Sequence, residues 1–213
     1  MRFLDHSEIG QRLADHLVRL VPSNPAVVVL PPGGVRIGWE IARCLKAPMD
    51  VVIVRELCVP GTNSMPVGCV VDGFFIPDVA ACKQRGVGRD YLRRLVAAEA
   101  WEQAARQRFM RHGKAPLDLG GRTAILVSDG SPSALVLRSA VAALRNREVE
   151  EIIYAAPVAS PALADLVGDP GRLVSLFHPD EFRSIMLVNA GYRQTTDEEI
   201  VEELDRSRDF AVI

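Results

Sequence analysis

Apolar residues along this chain follow two rhythms in turn, and their alternation outlines the architecture. Short apolar runs at Ala26–Leu30, Val51–Val54, Thr123–Val127, Glu151–Ala156 and Leu173–Leu176 predict buried strands. Between them, apolar residues recur at helical spacing. Ile9, Leu13, Leu17 and Leu20 predict a first helix, opened by Asp5 with Glu8 in a capping-box arrangement and stopped by Pro22, Asn24 and Pro25. Ile37, Ile41 and Leu45 predict a second helix, and Leu137, Val141 and Leu144 a third over Ser133 to Arg145. Strands alternating with helices predict an α/β fold, a parallel twisted sheet flanked by helices on both faces. Ligands of such sheets bind beyond the carboxyl ends of the strands, so the loops there come under scrutiny first.

The middle of the chain breaks the rhythm. From Val59 to about Ile76, Gly61, Pro66, Gly68 and Gly73 interrupt the apolar residues, which predicts a mobile hairpin or flap. A long helix is predicted over roughly Arg89 to Arg111, preceded by Gly86 and Gly88 and closed by Gly113. Lys83 to Arg122 holds ten Lys/Arg against four Asp/Glu, a basic balance read as a solvated helix face. Its aromatics Tyr91, Trp101 and Phe109 are expected to pack inward rather than stack on bases. Pro157 to Pro161 turns into a short helix. The tail from Asp197 to Asp209 has seven acids and two bases, with a helix near Glu198–Leu204.

Composition narrows the class. A chain of 213 residues, 48% hydrophobic and 24% charged, suits one globular domain. A net charge of −2 gives no general pull toward nucleic acid or anionic membrane, so neither is an expected partner. No unbroken apolar run is long enough to span a bilayer, and the N-terminus meets Asp5 too early for a signal peptide. Cys44, Cys58, Cys69 and Cys82 form no C-x-x-C pair and read as reduced thiols, which points to the cytoplasm. His6, His16, His112 and His178 are scattered and read as structural or surface residues.

Candidate chemistry concentrates where Thr123–Val127 ends. The run Ser128-Asp129-Gly130-Ser131-Pro132-Ser133-Ala134-Leu135 has the form of a strand feeding a loop at a helix N-terminus. Backbone amides and the positive end of the helix dipole make such a place an anion site. Asp129 is placed to accept hydrogen bonds from hydroxyls beside that anion, and a phosphorylated sugar presents both groups. Asp129 also reads as a simple helix cap, and Ser131 and Ser133 as caps or phosphate donors rather than nucleophiles. Pro31-Pro32-Gly33-Gly34 is a tight turn or an anion cradle. Arg55 is a candidate anion contact or a salt-bridge partner of Glu56 or another neighbour, and Arg36 a candidate cation or a surface arginine.

Taken in order and spacing, the loops Pro31–Gly34, Arg55–Gly61 and Ser128–Leu135 resemble those of the type I phosphoribosyltransferase family. The likeness runs from Arg2-Phe-x-Asp5 through Pro157-Val-Ala-Ser160 and Phe182 to Asp197-Glu198-Glu199, nearest to an uncharacterised bacterial branch. It implies one domain over 1–213, with flap and long helix at about 59–112 and a C-terminal hood at about 178–213. It implies a sugar-phosphate loop at Ser128 to Val136, a pyrophosphate loop at Pro31 to Gly34, and Mg2+ carried with phosphoribosyl pyrophosphate. The implied activity is phosphoribose transfer to a nucleobase-like acceptor, and the implied assembly a homodimer. The alternative is a non-catalytic member that binds a nucleotide or phosphate as regulator or partner subunit.

Four positions depart from the family pattern. Ser128-Asp129 stands for two adjacent acids, so one charge-assisted hydrogen bond to ribose, roughly 1.5–3 kcal/mol, is missing. Ser133-Ala134 stands for Thr-Gly, putting a Cβ where backbone approaches phosphate. Pro32 replaces an arginine and removes an N–H donor. Arg55-Glu56 replaces Arg-Lys and reverses one charge facing an anionic ligand.

Overall fold

The computed structural model describes residues 5–21, 24–59, 65–168, 172–177 and 195–211. Its strands are β1 (Pro25–Val29), β2 (Met49–Val51), β3 (Val54–Cys58), β4 (Pro66–Val71), β5 (Phe74–Pro77), β6 (Thr123–Val127), β7 (Glu151–Val158) and β8 (Leu173–Phe177). Its α-helices are α1 (His6–Leu17), α2 (Gly34–Leu45), α3 (Val79–Gln84), α4 (Arg89–Met110), α5 (Ala134–Asn146), α6 (Ala164–Val167) and α7 (Asp197–Ser207). Five strands form one sheet in the order β2-β1-β6-β7-β8, every adjacent pair parallel.

The pleat sends alternate residues to opposite faces, and both faces are covered. Val27, Val29, Ile125 and Val127 pack with Leu13, Ile37, Ile41, Ile200 and Leu204, under α1, α2 and α7. Ala26, Val28, Ala124 and Leu126 pack with Leu137, Ala140, Val141 and Leu144 of α5. This double burial is why the central strands read as unbroken apolar runs. α1 opens on Asp5, whose carboxylate accepts the Glu8 amide, and ends at Leu17. Leu20, expected on the same face, lies past that end and is exposed.

The middle segment builds a second, antiparallel sheet, β3-β4-β5. Asp72 and Gly73, both at positive φ, make the tight turn between β4 and β5, a hairpin geometry matched to strand twist. β4 and β5 form a hairpin within the segment expected as a hairpin or flap; Gly61 lies outside the described residues. The run Val51–Val54 is not one strand. Val51 ends β2 and Val54 begins β3, so the chain changes sheets across Val52 and Ile53. Both sides of that crossing are buried, and apolar periodicity has no mark for it.

Buried Gln103 of α4 bridges the crossing: its amide donates to the carbonyls of Ile53 (2.6 Å) and Val70 (2.7 Å). Because α4 turns Gln103, Leu95, Val96 and Met110 inward, its aromatics face the other way. Trp101 is 75% exposed and Phe109 52% exposed, and Tyr91 is exposed too, against the inward packing expected of them.

Below the sheets, Asp50 of β2 is buried among full partners. It accepts from Arg111 Nε (2.7 Å), Arg147 (2.8 Å), and the amides of Val51 and Leu117. Burial pushes its carboxyl up, but Arg111 and Arg147 outweigh that and hold it below the ordinary aspartate range. Most of the expected C-terminal hood, 178–194, lies outside the described residues. α7, which follows, packs on α2, α4 and β2.

Candidate active site

The sheet order reverses between β1 and β6, since one neighbour series runs to β2 and the other to β7 and β8. At such a switch point the two strand-end loops diverge and leave a crevice. Pro31–Gly34 leaves β1 and Ser128–Ser133 leaves β6, so the two segments singled out in the sequence stand side by side. Between them lies a cleft of about 270 Å³. Pro31, Pro32 and Gly33 form one wall, and Asp129, Ser131 and Pro132 another. Leu30, Ile53, Val54 and Val136 give an apolar floor, and Arg106 of α4 adds a cation.

The first loop is held close to the second by glycine. A Cβ on Gly34 would lie 2.6 Å from the Val127 carbonyl oxygen and 3.1 Å from Ser128 Cα, both backbone. Any side chain there would force the loops apart. Gly34 therefore serves close approach rather than turn freedom, and Gly33 has ordinary right-handed geometry ahead of α2. The peptide between Pro31 and Pro32 is cis.

The second loop is braced from behind. Ser128 is fully buried; its hydroxyl shares a 2.6 Å hydrogen bond with Tyr154 and accepts the Gly130 amide at 3.1 Å. Ser128 thus supports the loop from the core side and does not line the cleft. Burial first, then the nearby Asp129 charge, push the Tyr154 hydroxyl up to about 12, offset in part by Ser128, so it stays protonated. Gly130 sits at φ +86°, where a side chain is strained and a Cβ would meet the Val158 oxygen at 3.0 Å. Asp129 Oδ1 accepts from the Ser131 amide (3.0 Å) and hydroxyl (2.6 Å), which fixes the carboxylate at the cleft wall.

The helix N-terminus is partly answered from within the protein. Ser133 caps α5 by accepting the Val136 amide, and its hydroxyl donates to Glu56 Oε1 at 2.8 Å. Ala134 and Leu135 open α5 and, by position, have no intrahelical acceptor for their amides. Neither lines the cleft among the described residues. Glu56 therefore brings a carboxylate to the end of α5 that favours negative charge.

Alternation along β3 sorts the charges. Val54 lines the cleft and Glu56, on the same side of β3, reaches Ser133, whereas Arg55 turns away to pair with Glu99 of α4 at 3.3 Å. Arg36 points to Glu203 of α7 at 3.7 Å. Neither arginine lines the cleft among the described residues, so the cation there is one that sequence reasoning missed. Arg106 is one of many arginines on a basic helix, and no local signal separates it from the rest. It also contacts Asp197 at 2.9 Å. His6, read as structural or surface, lies within electrostatic range of Asp129. Burial lowers its ring pKa most, Asp129 and Asp5 pull it back up in part, and Arg36 lowers it further.

The chain has similar proteins among known ones. A Mycobacterium tuberculosis protein named "putative phosphoribosyl transferase" is 32% identical over 218 aligned positions, covering 98% of this chain and 48% of that protein. The chain thus spans about half the length of the curated relatives it matches. The crystal structure of TT1426 from Thermus thermophilus superposes with a TM-score of 0.76 at 29% identity, covering 96% of this chain and 98% of that one. Over nearly its whole length the chain is similar to proteins named as phosphoribosyl transferases. No family model matches it.

The cleft is sparse in charge. Asp129 is the one carboxylate and Arg106 the one cation among its described lining residues. No group of three His, Cys, Asp or Glu among the described residues could hold a metal ion by itself. No described helix is long and apolar enough to cross a membrane.

Proposed function

We propose that this protein binds a phosphorylated sugar in the cleft between the β1 and β6 loops and transfers phosphoribose from phosphoribosyl pyrophosphate to a nucleobase-like nitrogen. The observation that carries this reading is the meeting of Pro31–Gly33, Asp129–Pro132 and Arg106 at the switch point of the sheet. Asp129 accepts the ribose hydroxyls, a role to which its anchoring by Ser131 orients it. The Pro31–Gly34 loop takes the pyrophosphate, and Arg106 stabilises the charge that grows there as the bond breaks. The acceptor nitrogen forms its bond to the anomeric carbon as the carbon–oxygen bond to pyrophosphate opens, and the acceptor's proton leaves to solvent. Leu30, Ile53, Val54 and Val136 keep water from that carbon. Positioning does most of this work, since no step asks for a strong protein base.

The donor set suits Mg2+ that arrives on the ligand. That ion takes one or two protein carboxylates and completes its shell with phosphate and water oxygens, and Asp129 is one carboxylate facing the cleft. Bound with the pyrophosphate, Mg2+ would neutralise leaving-group charge.

Isothermal titration with phosphoribosyl pyrophosphate, ribose 5-phosphate and nucleoside monophosphates, with and without Mg2+, tests the binding half. Mg2+-dependent binding of the sugar pyrophosphate is expected. Pyrophosphate release across a panel of nucleobases tests transfer. Binding with no release from any acceptor would favour a nucleotide- or phosphate-binding role without catalysis, and absence of all binding would overturn both readings.

A further inference from the structure

The outer face of α4 joins exposed cations to exposed aromatic rings. Lys83 to Arg108 carries seven Lys/Arg against Asp90, Glu99 and Glu102, and Glu99 is already paired with Arg55. Trp101 is 75% exposed, Phe109 52% and Tyr91 38%. A basic stretch reads as a plain solvated face only while its rings pack inward, and these three do not.

The groups form a stripe. Arg94, Trp101 and Arg108 stand seven residues apart, or two helical turns, so they line up along one side of α4 at intervals of about 10 Å. Ala97, Ala98, Ala104 and Ala105 lie between them and are exposed, too short to overtop the indole. Arg94 and Arg108 make no side-chain hydrogen bond or ion pair among the described residues. Arg93, beside them, meets Asp90 at 3.8 Å with both side chains largely in water. Past Arg108 the stripe runs into a groove of about 650 Å³ between α4 and α7. Phe109 and Val201 give it apolar walls, and Glu198 of the acidic α7 marks where the basic stripe stops.

We propose that this stripe binds single-stranded nucleic acid. Phosphates pair with Arg94 and Arg108, and an unstacked base lies on Trp101 between them, a combination that holds single strands with little regard to sequence. A duplex keeps its bases stacked inside and offers Trp101 only backbone. An acidic peptide would use the arginines and leave the rings idle. A membrane surface calls for a broad apolar face, whereas alanines and charges surround the ring here. The overall charge of −2 does not oppose binding, because charges more than about 10 Å away are largely screened at physiological salt.

Fluorescence and anisotropy titrations with 5′-hydroxyl DNA and RNA oligonucleotides of about 12 nucleotides, in about 50 mM salt, test the assignment. The chain has two tryptophans and Trp39 is 8% exposed, so quenching on binding reports Trp101. Binding with quenching is expected. Trp101→Ala should weaken it about 10-fold and leave the slope of log affinity against log salt unchanged, and Trp101→Phe should recover most of the loss. Arg94→Ala with Arg108→Ala should reduce that slope by about 1.4, two phosphate contacts at about 0.7 each. All three side chains are exposed, so the melting temperature should hold in every variant. Excess phosphoribosyl pyrophosphate should not compete, since the stripe lies outside the cleft. Absence of binding, tighter binding to a duplex than to either single strand, competition by the sugar pyrophosphate, or an unaltered affinity in Trp101→Ala would each overturn the proposal. Binding to anionic vesicles or an acidic peptide in place of the oligonucleotides would do so as well.

Discussion

Two regions of this molecule gather aspartate and arginine, and they do so to opposite ends. At one, Asp50 is 2% exposed and Arg111 5%, and both Asp50 oxygens are met by guanidinium or backbone donors. At the other, Asp129 and Arg106 line an open cleft, and Arg106 is 41% exposed. α5 links the two: Ser133 caps its start beside the cleft, and Arg147 at its end binds Asp50. Both oxygens of the buried Asp50 carboxylate are already answered, so it keeps no acceptor capacity for a ligand. A charge left beside a cavity keeps capacity for a ligand. Local charge content does not separate the regions; saturation does.

The sharpest way to break this contrast is at Asp50. Replacing it with alanine leaves Arg111 buried without its counter-ion, and a loss of about 3–5 kcal/mol in denaturant-induced unfolding is expected. Its pH dependence has a definite sign. The folded-state pKa lies below the ordinary 3.8, so the stabilisation is fully present above that pH. It fades as pH falls through the lower folded value, and Asp50→Asn should flatten the stability curve in that acid range.

Arg106 comes next. Truncation to alanine should weaken binding of phosphoribosyl pyrophosphate about 10-fold or more in calorimetry, as one charge-assisted contact is lost. The melting temperature should hardly move, because its partly exposed pair with Asp197 contributes at most about 1 kcal/mol. A variant that unfolds readily and binds normally would reverse the roles assigned to the two regions.

The smallest expected effect has the opposite direction. Glu56→Gln keeps an acceptor for the Ser133 hydroxyl and removes a negative charge from the mouth of α5. Affinity for the sugar pyrophosphate should rise about 3-fold, with less gain at high salt. An unchanged or lower affinity would mean that Glu56 does not oppose the incoming anion.

Much of the frame was legible in the chain. Runs such as Ala26–Leu30 and Thr123–Val127 were visible because a strand buried on both faces must be apolar throughout. The loops that follow them could be read as ligand-facing because a parallel sheet has one ligand-binding edge. Other features left no local trace. Ser128 and Asp129 are neighbours of similar polarity, yet one is sealed against Tyr154 and the other faces the cleft. Arg55 and Glu56 part company through the pleat of β3, and only the sheet's placement decides which of them reaches Ser133 at the start of α5. Tyr91, Trp101 and Phe109 pointed inward by composition and outward in fact, because Gln103 holds the inward face of α4 against two carbonyls.

By itself, the order of residues determined the alternation of strand and helix, the small-residue loops at strand ends and the family likeness. Each depends on backbone preference and on apolar spacing within a few residues. The tertiary structure alone decided which arginine reaches the cleft, which carboxylate answers the start of α5, and which aromatics are left in water. Those outcomes depend on segments tens of residues apart meeting at angles set by packing, and no short stretch of sequence records that angle.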